Sequence, residues 1–272
     1  MADDDLGDFS RETFSHDGKE RTVFRRGSGP AVIVIAELPG ITPKVATFAR
    51  TVAGIGCTAV MPHLFGEPGR DPNEGNRMVA ASHFARTVVP LCVSREFTTW
   101  ATRRTSPVVD WLRALAGAEH ERCGGPGVGA VGMCFTGGFA LAMATHPSLL
   151  VPVLSQPSLP FAVTRAQRSS IDCSTADLEI VKQRCANEGL EVLGLRFRGD
   201  RFVPGERFAF LRRELGEAFV AVELDDSAAN PAAATPPHSV LTEHLVDAPG
   251  EPTRAALDTV LDLFRRRLLT GT

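Results

Sequence analysis

A cysteine stands at residue 134 inside "VGAVGMCFTGGFALAMA", residues 128–144, where an apolar run changes its period. Small neighbours, Gly132, Gly137 and Gly138, permit a sharp strand-to-helix turn with strained dihedrals and close packing of the two elements. A thiol held there lies at the carboxyl end of a strand and the N-terminus of a helix, where orphan amides and the helix dipole favour a thiolate. The chemistry is nucleophilic attack on a carbonyl, with the N–H of Phe135 pointing at the oxygen that gains charge. Position alone favours the blander reading, since a lone cysteine in an apolar run is most often a small buried hydrophobe. Partners decide the matter, and two occur in the order nucleophile, acid, histidine. Asp200 ends a predicted strand in "LRFRGDRFVP", and His238 stands in "TPPHSVLTEH", beyond the last predicted strand and its loop. Singly, such an aspartate is usually a turn residue or cap and such a histidine merely exposed. Three coincidences in the right order outweigh these readings.

The elements that must position these residues read as an α/β fold. "RETFSHDGKERTVFRRG" places Asp17-Gly18 between two alternating stretches, a β-hairpin that should cap one sheet edge. "AVIVIAEL", "KVATFARTVAGIG" and "CTAVMP" follow as strand, helix and strand, the unit of a parallel sheet covered on both faces. Residues 64–76 form a Gly- and Pro-rich loop, and "REFTTWATRRTSPVVDWLRALAG" reads as one or two helices with Pro107 at a break or new start. Strands are predicted in "VGAVGM", "LLVPVLSQP", "LEVLGLRFRGD" and "AFVAVELDD". Helices are predicted in "FTGGFALAMATH", "TADLEIVKQRCANEG", "PGERFAFLRRELG" and the closing "PTRAALDTVLDLFRRRL". The expected architecture is an α/β-hydrolase fold, a central, mostly parallel sheet flanked by helices with an N-terminal β-hairpin, in one domain over residues 1–272. Residues 1–10 are expected to form a mobile acidic tail.

Here the chain resembles the dienelactone hydrolase family of α/β hydrolases, whose nucleophile is a cysteine. The resemblance runs from about Gly29 to the C-terminal helix and rests on "VIVIAELPGI", "GMCFTGG", "GDRFVP" and "HSVLTEH". It implies that Glu37, ending the first core strand, contacts the resting cysteine and helps switch it between thiol and thiolate. It also implies Leu38 and Phe135 as the oxyanion donors. Without the resemblance, an acid directly after a buried strand is expected to need a partner, and a structural salt bridge is an equal reading of Glu37.

Three departures from the family pattern bear on substrate and packing. Thr136 stands where the family elbow has glycine, so the helix–strand approach is expected to be looser. Met133 replaces a frequent tyrosine, and the chain contains no Tyr. Well-studied members hold a substrate carboxylate with arginines, one just beyond the catalytic histidine, where this chain has Thr242. Arg103 or Arg104 are candidates to replace that substrate-binding contact, against the commoner reading of two arginines on a solvated face.

Other signals lead elsewhere. "GVGAVG", residues 127–132, matches a dinucleotide-binding glycine pattern, but its glycines precede or lie within a strand instead of opening a helix. His238 and His244 lack a zinc spacing and a third ligand, so no metal and no organic cofactor is expected, and His244 is read as a supporting or surface residue. The cysteines at 57, 92, 123, 134, 173 and 185 show no CxxC pair. Cys173 and Cys185 are read as structural.

At 272 residues, 43% hydrophobic and net charge −3, the composition carries no nucleic-acid footprint and no polybasic membrane segment. The acidic start is unlike a secretory signal, and a cytoplasmic location is expected. The partner is a small molecule. The leading expectation is hydrolysis of a small ester or enol lactone through an acyl-enzyme on Cys134, with His238 oriented by Asp200. Thioester hydrolysis or acyl transfer from the same cysteine, and an idle scaffold used as a binding module, stand as alternatives.

Overall fold

A computed structural model describes residues 2–72 and 96–270. Cys92 and the end of the 64–76 loop lie outside the described residues. The Asp17-Gly18 pair turns the chain with positive φ at both residues (50° and 69°), the geometry that suits a two-residue hairpin. It joins β1 (Ser10–His16) to β2 (Lys19–Gly27). Six further strands follow: β3 (Ala31–Ile35), β4 (Thr58–Pro62), β5 (Val128–Met133), β6 (Leu149–Ser155), β7 (Val192–Phe197) and β8 (Phe219–Leu224). The sheet order is β1-β2-β4-β3-β5-β6-β7-β8, with β3 to β8 mutually parallel and the hairpin antiparallel at one edge. β3 and β5 are neighbours while β4 lies on the other side of β3, so the winding reverses there. In open α/β sheets that reversal opens a crevice beyond the strand ends.

Two core clusters cover the two faces of the sheet. α1 (Pro43–Gly54), capped by Thr42, and α6 (Pro252–Phe264) bury one face. α2 (Val108–Cys123), α3 (Phe139–Met143), α4 (Thr175–Glu188) and α5 (Gly205–Leu215) bury the other. The glycines of "GVGAVG" serve this packing. A Cβ at Gly129 would stand 2.7 Å from the Phe264 ring of α6, and one at Gly127 2.5 Å from the Ser148 carbonyl oxygen.

Three expectations need correction. Residues 96–107 are irregular instead of helical: Arg103 has a left-handed φ of 58°, and the helix starts only at Val108, after Pro107. The helix after the elbow is a single five-residue stretch, preceded by a 3-10 turn. The acidic N-terminus is packed down, not a free tail. Asp4 and Asp8 both bind the Arg50 guanidinium of α1, and Leu6 and Phe9 enter the core beneath it.

Candidate active site

β5 ends at Met133, and Cys134 takes a left-handed φ of 52°, a strained conformation for a residue with a Cβ. The 3-10 turn Cys134–Thr136 then leads into α3. Glycine is required on both sides. A Cβ at Gly132 would stand 2.2 Å from the Thr136 carbonyl oxygen, and one at Gly137 2.4 Å from the Pro157 Cα. Thr136 does not loosen this turn, contrary to expectation. Its buried hydroxyl accepts from the Met133 N–H (3.0 Å) and donates to the Ile35 carbonyl (2.9 Å), tying the elbow to β3. The Cys134 side chain is half-buried.

Asp200, on the loop after β7, and His238, on the long loop between β8 and α6, come together at this elbow. His238 Nδ1 lies 2.6 Å from Asp200 Oδ2, and Asp200 Oδ1 accepts from the Phe202 N–H at 2.9 Å. The imidazole is also close enough to the Cys134 sulfur to interact with its charge. Burial disfavours a charge on His238, but its interactions with Cys134 and the Asp200 carboxylate outweigh it and hold the ring well above its usual 6.5. His244 is buried behind it. Its Nδ1 accepts from the Ser239 N–H (3.1 Å), so the ring is neutral with its proton on Nε2, which donates to the Thr235 carbonyl (3.0 Å). The residue is therefore a brace for the histidine loop.

Glu37 follows β3 and makes no hydrogen bond to Cys134, unlike the contact the resemblance implies. Its Oε2 accepts from Ser239 Oγ (2.6 Å) and Gln156 Nε2 (3.1 Å), and its Oε1 from the Thr242 hydroxyl. No salt bridge satisfies it; three neutral donors do. Gln156, after β6 with a φ of 36°, also accepts from the Val240 N–H at 3.3 Å. Glu37 and Gln156 thus hold both sides of the loop that carries His238. Leu38 and Phe135 immediately follow Glu37 and Cys134 at the ends of β3 and β5. Arg103 and Arg104 are exposed on the irregular 96–107 segment and make no ion pair or hydrogen bond among the described residues.

Sequence reasoning missed the roles of Gln156, Ser158 and Ser239 here, and named Thr242 only as the place of an absent arginine. Each is a neutral side chain whose role comes from where the sheet brings it. It also missed the apolar flank. Phe135 packs edge-on against Phe97 (5.3 Å between ring centres) and near Phe161 (6.4 Å), which in turn meets Trp100 (5.1 Å). Phe202, largely exposed, packs edge-on against His238 at 5.6 Å.

The 96–107 segment is anchored by Asp172, whose carboxylate accepts from Ser106 Oγ (2.6 Å) and the Ser106 N–H (3.1 Å). Burial pushes this carboxyl from 3.8 up to about 7, against the opposing pull of those hydrogen bonds. Between those values the folded protein keeps the proton while the unfolded chain has released it. Stability from this group is therefore full at acid pH and is lost as pH rises to about 7. The melting temperature of Asp172→Asn is expected to fall less than that of the wild type between pH 5 and 8. Parallel curves would contradict this.

Among the described residues, no helix is long and apolar enough to cross a membrane, and no three His, Cys, Asp or Glu side chains are grouped to hold a metal ion. A parallel sheet with a tight turn at its switch point, and an acid and a histidine gathered there from later loops, is the architecture of the α/β hydrolases. The sequence profile of the dienelactone hydrolase family matches residues 22–156, and the chain belongs to that family of hydrolases. No match is found among curated proteins. Solved structures with the same fold include a candidate dienelactone hydrolase from Klebsiella pneumoniae, with 18% identity, 95% of this chain and 98% of that one covered, and a TM-score of 0.60. A dienelactone hydrolase-like promiscuous phosphotriesterase from metagenomic libraries has 15% identity, coverage of 96% and 98%, and a TM-score of 0.56. A dienelactone hydrolase from Anabaena variabilis has 14% identity, coverage of 96% and 98%, and a TM-score of 0.53.

Proposed function

We propose that the protein hydrolyses a small ester or lactone through an acyl-enzyme on Cys134. The thiolate attacks the carbonyl carbon, and the N–H groups of Leu38 and Phe135 receive the oxyanion. His238 gives its proton to the departing alkoxide, then takes one from the water that releases the acid. Asp200 keeps the imidazole oriented through both steps. The observation that carries the reading is the position of His238, bonded to Asp200 through Nδ1 and close enough to Cys134 to interact with its charge.

The ring of Phe202 against His238, and those of Phe161 and Trp100 extending from Phe135, favour a substrate with an apolar or aryl acyl group. Thr242 is engaged by Glu37, so a substrate carboxylate would have to be met by Arg103 or Arg104 on the neighbouring segment. The proposal places the enzyme in the cytoplasm, where its cysteines stay reduced. The test is a panel of lactones, aryl esters and acyl thioesters assayed with the wild type and Cys134→Ala. Turnover of an aryl ester or lactone by the wild type alone supports the proposal. A preference for thioesters would move it to thioester hydrolysis, and equal turnover by Cys134→Ala would sink it. Tight binding without turnover would favour a binding module.

A further inference from the structure

Ser158 stands where no sequence motif placed it. It follows β6 by three residues and is almost wholly buried, with 3% of its surface exposed. Its N–H donates to the Cys134 carbonyl at 2.9 Å, and its hydroxyl lies 3.6 Å from the Cys134 sulfur. Gly137 makes this approach possible, because any side chain there would collide with the backbone of Pro157, the residue before Ser158. The hydroxyl carries one proton and has two acceptors in reach, the sulfur and the Gln156 carbonyl oxygen at 3.1 Å. A neutral thiol is a weak acceptor, whereas a thiolate attracts a charge-assisted hydrogen bond. The hydroxyl therefore responds to the charge on sulfur.

The charged and titratable groups around the sulfur act in the same direction or are otherwise engaged. His238 interacts with its charge from the histidine loop, backed by Asp200 from the loop after β7. Glu37, after β3, is taken up by Ser239, Thr242 and Gln156 and does not compete for the thiol proton. The loop after β6 brings only the neutral Gln156 and Ser158. Asp172, behind the start of α3, is bonded to Ser106, and the guanidinium of Arg207 from α5 is bonded to backbone carbonyls. We infer that Ser158 is a further catalytic residue, whose hydroxyl joins His238 in holding Cys134 as a thiolate before any substrate arrives. Glu37, bonded to Ser239, Thr242 and Gln156, is a positioning residue for the histidine loop. The inference rests on Cys134 being the nucleophile, but it concerns the free enzyme.

The test needs no ester. Alkylation of the free protein by iodoacetamide is followed against pH, with the modified site read by mass spectrometry and Cys134→Ala as control. Burial raises the thiols of Cys57 (to about 11), Cys123, Cys173 and Cys185, so they react little in the same range. The wild type is expected to alkylate at Cys134 with a midpoint below that of a free thiol, about 8.5. Ser158→Ala is expected to raise that midpoint by about one pH unit. Ser158→Thr and Ser158→Val, nearly equal in shape, separate the hydroxyl from packing: Thr should retain the low midpoint and Val should not. A wild-type midpoint near that of a free thiol, or equal midpoints for Thr and Val, overturns the inference. Ester turnover with a free-thiol midpoint would defeat this inference and leave the proposed function standing. A low, Ser158-dependent midpoint without turnover of any ester would do the reverse.

Discussion

His238→Ala is expected to lower kcat/KM for any ester the enzyme cleaves by about ten-thousand-fold at pH 7, the upper range for loss of a general acid–base and its charge. Two losses combine. Without the imidazolium the thiolate has no counter-ion, so less of the cysteine is nucleophilic. Without the neutral imidazole, water attacking the acyl-enzyme has no base. The second loss leaves a signature: whatever acylation survives should give a stable, mass-detectable adduct on Cys134. The fold should survive with a loss of about 1–3 kcal/mol, the cost of leaving the buried Asp200 oxygen without its partner, since the loop is braced independently by His244. A variant that keeps more than about a tenth of wild-type activity would remove His238 from the chemistry.

The second large effect concerns stability. Arg207→Met removes a wholly buried guanidinium that donates to five backbone carbonyls: Ser170 (2.7 Å), Pro157 (2.6 Å), Pro160 (2.5 Å), Gln167 (3.1 Å) and Phe202 (3.4 Å). Burial pushes this group down to about 10, with the charge of Asp200 opposing, so it remains a cation at neutral pH. Methionine fills much of the volume but satisfies none of the oxygens. Each carbonyl left buried without a donor costs about 1–3 kcal/mol, and some will find water, so a total of about 3–5 kcal/mol is expected. For a domain of this size that lowers the melting temperature by about 5–10 °C. Arg207→Lys should fall between, because one ammonium cannot span acceptors set around a planar fork. Activity should fall further than stability alone dictates. Pro157 precedes Ser158 and Phe202 follows Asp200, so two segments of the proposed active site lose a common tether. A shift of under about 2 °C in Arg207→Met would show that water replaces the guanidinium at little cost.

The strand and helix order was legible because buried parallel strands are β-branched runs and their covering helices carry apolar faces. Asp17-Gly18 was legible because only a few residue pairs accept two positive φ angles. The elbow at Cys134 was legible for a similar steric reason: Gly132 and Gly137 are excluded from bearing a Cβ by contacts of 2.2 and 2.4 Å. Residues 96–107 misled because a polar stretch ahead of Pro107 has no periodicity to betray it, and its form depends on the distant Asp172. The acidic N-terminus misled because charge reads as solvated until an arginine, here Arg50, is found across it.

Glu37 marks the division most clearly. The chain order alone determined that an acid ends the first core strand, that a cysteine sits at a tight bend, and that an aspartate and a histidine follow on later loops. These are local facts of strand ends and turns, set by residue type and spacing. Which groups that acid binds was decided only by the tertiary structure, since Ser239 and Thr242 lie more than 200 positions away in the chain, and neutral hydroxyls carry no sequence signature. The same holds for Ser158: a hydrogen bond to sulfur depends on tenths of an ångström between two loops, a distance that packing sets and residue order does not.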